Sequence, residues 1–183
     1  ATVSGRTYVG GLVGLAGTGG IVASSASGTV TGSGNIVGGL VGHAAGPAVS
    51  SSSATGHVTG KRQVGGLVGV FTQGSGTGLT TSWASGQVDG DDLAGGLIGN
   101  SDGNVTFSYA SGAVTVSGNN PTIAGYALAG GLIGQQANAR ATEDSWASGA
   151  VLGPLSGIGG LIGSNAGPIL RSTTLAGQTV SGG

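Results

Sequence analysis

Gly10-Gly11-Leu12-Val13-Gly14 recurs at 38–42, 65–69, 95–99, 130–134 and 159–163, with Ile replacing Val from the fourth copy onward. The steps between the six copies are 28, 27, 30, 35 and 29 residues. A period near 30 that tolerates insertions marks a repeat architecture, in which each unit buries its apolar side only against its neighbours. A second motif follows each first one: Ser25-Ala26-Ser27-Gly28-Thr29-Val30, Ser53-Ala54-Thr55-Gly56-His57-Val58 and Trp83-Ala84-Ser85-Gly86-Gln87-Val88. It continues as Tyr109-Ala110-Ser111-Gly112-Ala113-Val114 and Trp146-Ala147-Ser148-Gly149-Ala150-Val151, and a shifted copy, Leu175 to Val180, ends the series.

The repeat is not helical. A helix-interior glycine costs about 1 kcal/mol, and no apolar stripe of period 3.6 runs through the unit. Short Val/Ile/Leu/Thr segments punctuated by glycine read as strands with tight corners. Three strands fit in each unit, around Gly-Leu-Val-Gly, Ile21-Val22-Ala23-Ser24 and Thr29-Val30-Thr31. If each unit is one coil, equivalent strands pair in parallel at about 4.8 Å, and six coils make a rod roughly 30 Å long. The predicted fold is all-β: one parallel β-solenoid spanning residues 1–183, in about six coils of 27–35 residues.

Stacked coils turn equivalent positions into ladders. The Leu ladder comprises Leu12, Leu40, Leu67, Leu97, Leu132 and Leu161, and an aliphatic one runs Ile21, Val49, Leu79, Val105, Thr142, Leu170. A small-residue ladder runs Ala26, Ala54, Ala84, Ala110, Ala147, and a hydroxyl ladder runs Ser24, Ser52, Ser82, Ser108, Ser145, Thr173. One feature resists a single buried face: Leu and the following Val or Ile should point to opposite sides of a strand, yet both are apolar. Either a glycine bend turns both inward, or Val13, Val41, Val68, Ile98, Ile133 and Ile162 form an exposed stripe for docking a neighbour.

The order Val-Gly-Gly-Leu-Val-Gly, then Ser-x-Ala-x-Gly-x-Val, resembles the GLUG repeat, with the likeness extending from Tyr8 to Val180. That resemblance implies a right-handed β-solenoid in a secreted or surface-bound bacterial protein, as in adhesins and the non-catalytic parts of IgA-cleaving metallopeptidases. It brings no catalytic residues. The usual Asn before the Ser is replaced by Ala23, Ser51, Thr81, Phe107 and Asp144, so no Asn ladder is implied.

Composition bounds the partners. The chain has 44 glycines, 6% charged residues, 38% hydrophobic residues and a net charge of −1. Low charge without low hydrophobicity argues against disorder, and near-neutrality removes an electrostatic reason for nucleic acid. No apolar run approaches the roughly 18 residues of a membrane span. Cysteine and methionine are both absent, so the chain reads as a processed product or an excerpt. Thr2-Val3-Ser4-Gly5 matches Thr179-Val180-Ser181-Gly182, and neither end reads as a polar cap, which suggests head-to-tail stacking or further repeats of a parent chain.

Catalysis has little support. His43 and His57 are the only histidines and stand outside any His-Glu-x-x-His, while Glu143 and Asp144 are adjacent rather than paired across a cleft. No cofactor or metal is expected; the spacing of Asp89, Asp91 and Asp92 matches no calcium loop. Lys61–Asp91 and Arg62–Asp92 should pair across successive corners. Trp83, Tyr109 and Trp146 share one position on consecutive coils, a candidate strip for sugar rings or ordinary flank packing. The segment 115–129 takes 15 residues where other repeats use six or seven; its Asn119, Asn120, Pro121 and Tyr126 make it a candidate binding loop. The expected role is a structural or adhesive module of a secreted or cell-surface protein or extracellular fibre, possible as a self-assembling filament. A glycan- or partner-binding module is the alternative, and ice binding through the hydroxyl ladder the third reading.

Overall fold

A computed structural model describes residues 1–46, 48–74, 78–118, 127–154 and 157–182. The described residues wind through thirty-one short strands, numbered β1 to β31 in order. The first six are β1 (Val3–Gly5), β2 (Val9–Gly10), β3 (Val13–Ala16), β4 (Ile21–Val22), β5 (Ser25–Ala26) and β6 (Val30–Gly32). With β6 the pattern restarts, because β6 pairs in parallel on β1 with Val3 opposite Val30. Every later strand likewise pairs with the strand five places before it, and those up to β26 also with the strand five places after, giving one sheet of seven strands and four of six. The parallel solenoid of six coils is therefore present, but with five strands per coil rather than three. Several of the strands have only two residues, shorter than any run that alternation of side chains can reveal.

The opening motif is the tightest part of each coil. A Cβ on Gly10 would lie 2.1 Å from the Val13 carbonyl oxygen, so only glycine permits the chain to turn so sharply there. Immediately after it, the N–H groups of Leu12 and Val13 both donate to the carbonyl of Leu40, at 2.9 and 3.0 Å. The same fork recurs from Leu40 and Val41 to Leu67, from Leu67 and Val68 to Leu97, and from Leu97 and Ile98 to Leu132. Two successive amides converging on one acceptor mean that the strand bends at the Leu, and strict alternation is suspended. Leu and Val/Ile accordingly enter the same core, with Val41, Val68, Ile98 and Ile133 fully buried and Val13 and Ile162 packed against it from the end coils. The exposed stripe considered for this row is therefore corrected: its members are core residues.

Two apolar cores run along the rod. One is lined by the β3, β4 and β5 rows and holds the Leu ladder, with Phe71 its largest aromatic member. The other lies between the β1 and β2 rows and is mostly valine: Val30, Val37, Val58, Val64, Val88, Val114 and Val151. The aliphatic ladder from Ile21 ends on Ile169, not Leu170, because Thr142 pairs with Ile169 while Leu170 sits opposite Glu143.

The hydroxyl ladder also shifts at its last member. The backbone N–H of each serine donates to the Oγ of the next, from Ser24 to Ser52, Ser82, Ser108 and Ser145, and then to Ser172 in place of Thr173. Each Oγ in turn donates to the carbonyl two residues earlier in its own coil, as Ser52 does to Ser50 at 2.8 Å. Just before each of these serines the backbone is left-handed: φ is 48° at Ala23, 50° at Ser51 and Thr81, 49° at Phe107 and Asp144, and 45° at Arg171. A non-glycine residue disfavours that region by about 1–2 kcal/mol, asparagine least. The strain is held because the corner amides stay in the ladder; Thr81 N–H, for instance, donates to Thr106 O.

Candidate functional site

Alternation along β5 points the Ala row inward and the preceding residue outward. The outward row runs Ser25, Ser53, Trp83, Tyr109, Trp146, Thr173 in strict register. Its three aromatic rings form one stack. Trp83 and Tyr109 have centroids 5.8 Å apart, Tyr109 and Trp146 4.3 Å, each pair with planes within 3°. Tyr109 thus has a ring over each face. The predicted strip exists, but it shows solvent mainly ring edges, whereas a sugar stacks on a face. Only two faces stay clear of ring stacking: that of Trp83 toward Ser53 and that of Trp146 toward Thr173.

The flank beside this stack carries Phe107, 63% exposed, at its left-handed corner. In the same corner row Asp144 follows one coil on and Arg171 two; Arg171 Nε and Nη2 reach Asp144 Oδ1 and Oδ2 at 2.8 and 2.9 Å, and Nη2 also contacts Glu143. Hydrogen bonding from Arg171 holds the Asp144 carboxyl below the usual carboxylate range. The hydroxyl ladder offers no comparable surface, since Ser52, Ser82, Ser108 and Ser145 are buried and their hydroxyls bonded within the rod. An ice-binding array on that row is excluded by its burial.

The charged corner forms in part. Arg62 Nε lies 3.4 Å from Asp92 Oδ2 as expected. Lys61 and Asp91 meet through their backbones, Asp91 N–H donating to Lys61 O at 2.8 Å, while the Asp91 carboxylate accepts from Ser117 Oγ. Asp89 turns elsewhere again, to His57 Nε2 at 2.7 Å. Each of the three aspartates thus has its own partner. Asn119, Asn120, Pro121 and Tyr126 of the candidate loop lie outside the described residues. The chain leaves for that loop and returns from it over this corner: Gly118 N–H donates to Asp91 O and Leu128 N–H to Asp92 O.

The first and last described coils each carry a row of strand edges that no other coil of this chain covers. At one end β1 to β5 expose their outer edges; at the other β27 (Ile158–Gly159), β28 (Ile162–Asn165), β29 (Ile169–Leu170), β30 (Thr173–Thr174) and β31 (Val180–Gly182) do so. None of these ten strands contains a charged residue or proline, the usual guards of an open edge. The core rows surface with them: Leu12 is 53% exposed and Ile169 44%. A stacking contact missed by the sequence reading, Tyr8 on His43 at 5.8 Å, closes the flank near the first end.

Five parallel sheets with one strand per coil define a β-solenoid built as a structural repeat module. The family model for the GLUG motif matches residues 5–31 and 33–59, so these two units are GLUG motifs, and the same ladders continue through the later coils. No curated protein and no solved structure matches the chain.

Proposed function

We propose that this solenoid serves as a structural and adhesive module of a secreted bacterial surface protein or extracellular fibre, and that its copies stack head to tail. The observation that carries the reading is that the edge strands of the first and last described coils hold no charged residue and no proline. Their rows are compatible: Leu161 would meet Leu12, Ile162 would meet Val13, Ile169 would meet Ile21, and Leu170 would meet Val22. Each contact extends a ladder already running through the rod, and parallel pairing supplies the backbone hydrogen bonds. The secreted setting is supported by the likeness to the GLUG repeat alone. Negative-stain electron microscopy of the purified chain should show unbranched fibres; a monodisperse monomer at all concentrations would sink the stacking reading.

A second reading, glycan binding, is supported by the two ring-free tryptophan faces, each bordered by a small hydroxyl residue, Ser53 or Thr173. It predicts binding of neutral oligosaccharides on a glycan array, lost in Trp83→Ala or Trp146→Ala; binding unchanged in both variants would remove it.

A further inference from the structure

The left-handed corner between the β4 and β5 rows carries one side chain that the rod does not use. Its occupants are Ala23, Ser51, Thr81, Phe107, Asp144 and Arg171. Ala23 is small, Ser51 and Thr81 bear hydroxyls, and Asp144 and Arg171 hold each other. Phe107 has no such account. At φ 49° a bulky residue is an outlier, and asparagine would sit there at lower cost. The side chain is 63% exposed, and among the described residues no other ring stacks on it. Trp83, Tyr109 and Trp146 differ, each being half-buried and stacked within its own row. An exposed ring at a strained corner adds nothing to the packing, so its use lies in what it meets from outside.

The surroundings of Phe107 select the ligand. Thr80 in β14 (Leu79–Thr80) stands opposite Thr106 in β19 (Val105–Thr106), and Phe107 follows Thr106 directly. Thr106 Oγ1 donates to Thr80 Oγ1 at 3.0 Å, and Thr80 Oγ1 lies 3.3 Å from Thr81 Oγ1. Three hydroxyls thus form one surface chain that ends on Thr81, which is exposed and precedes Phe107 by one coil in the corner row. With Thr80 donating to Thr81, the Thr81 hydroxyl is left to donate outward, and unused lone pairs along the chain accept. On the coil after Phe107, Glu143 and Asp144 are both engaged by Arg171, and two acids against one base disfavour an anionic ligand. A single ring is too small an apolar patch for a protein partner, whose interface takes about 800 Å² per side. It matches one face of one sugar ring, whose C–H groups pack on an aromatic ring while its hydroxyls point sideways. Resting on the reading that this flank takes a glycan, we infer that Phe107 is a platform on which a neutral saccharide stacks, with Thr81, Thr80 and Thr106 binding its hydroxyls.

The test titrates the full chain by calorimetry with linear oligomers of glucose and of N-acetylglucosamine, and with a sialylated oligosaccharide as the anionic comparison. Phe107→Asn removes the ring and suits the left-handed corner, so it should melt about 1–3 °C above the parent. Its affinity for the neutral oligomer that the parent binds should fall roughly tenfold or more, tenfold being about 1.4 kcal/mol. Phe107→Trp keeps a platform and should bind at least as well as the parent. Thr81→Val keeps the β-branched shape without the hydroxyl and should bind about three- to tenfold more weakly. Greater stability joined to weaker binding separates a ligand platform from a packing residue, whose loss would lower the melting temperature. Parental affinity in Phe107→Asn or in Thr81→Val, a lowered melting temperature in Phe107→Asn, or preference for the sialylated probe would overturn the inference. In each of those cases the glycan reading stands or falls separately, on Trp83→Ala and Trp146→Ala. A parent that binds none of the probes would remove the inference and the glycan reading together.

Discussion

Coil for coil, the middle and the ends of this rod are built from the same residues, yet they differ in what those residues bury. Leu40, Leu67, Leu97 and Leu132 are wholly withdrawn from solvent, while Leu12 in the same row is half-exposed. Val30, Val58, Val88, Val114 and Val151 are buried, and Val180, their continuation, is not. Nothing in the side chain distinguishes them; only a neighbour on the second face does. Burial here belongs to the interface between coils, so stability is close to a sum of nearest-neighbour terms that the outer coils collect only once.

The largest expected effect comes from the glycine row of the second motif. A Cβ at Gly86 would sit 1.9 Å from the Gly56 carbonyl oxygen, backbone on backbone with no side chain to move aside. Gly86→Ala should destabilise by more than about 4 kcal/mol or prevent folding. Gly19→Ala at the first end meets nothing within 4 Å and should be neutral or slightly stabilising, and urea midpoints of the two variants would measure the contrast. Next comes the Leu ladder: Leu97→Ala should cost about 2–5 kcal/mol and Leu12→Ala less than about 1 kcal/mol. Equal losses at the two positions would break the nearest-neighbour picture. Hydrogen exchange should show protection falling from the middle coils toward both ends.

A smaller gain is expected at the left-handed corners. Thr81→Asn replaces a β-branched residue at φ 50° by one that adopts this region readily, and should stabilise by about 0.5–1 kcal/mol. Arg171→Asn, at the equivalent corner of the last coil, also loses the clamp on Asp144 and should show no net gain in thermal melts. The smallest effect concerns pH. Burial pushes the His43 imidazole below its ordinary 6.5, so the folded chain takes up this proton less readily than the unfolded one. Its contribution is therefore fully present above 6.5 and declines as pH falls through the folded value. The melting temperature of the parent should drop slightly more than that of His43→Gln between pH 7 and pH 5, whatever His57 adds to both.

The ladders were legible in the sequence wherever a row repeats one residue type. Leu12 to Leu161 and Ala26 to Ala147 needed no structure to be placed. Register failed by one residue where the last repeat changes character: Ile169-Leu170 and Ser172-Thr173 each offer two acceptable candidates, and only strand pairing selects between them. The two-residue strands were invisible because alternation needs more than one period to declare itself. The direction of Val13 and its equivalents depends on a forked backbone hydrogen bond, to which side-chain patterning is blind. Least legible were the left-handed corners, since Ala23, Ser51, Thr81, Phe107, Asp144 and Arg171 share no chemical trait that announces a positive φ. The aromatic row was visible, but its stacking, which hides the faces of Tyr109, follows from three-dimensional spacing alone.

The long insertion bears on how such a chain can change over generations. Val114 stands opposite Val151 before it, and Ala129 stands opposite Ala94 after it, so the extra residues alter no ladder on either side. The corner between the first and second sheets is thus a place where length can vary while the paired strands keep their register. A lineage could diversify what it displays there, coil by coil, without renegotiating the packing beneath.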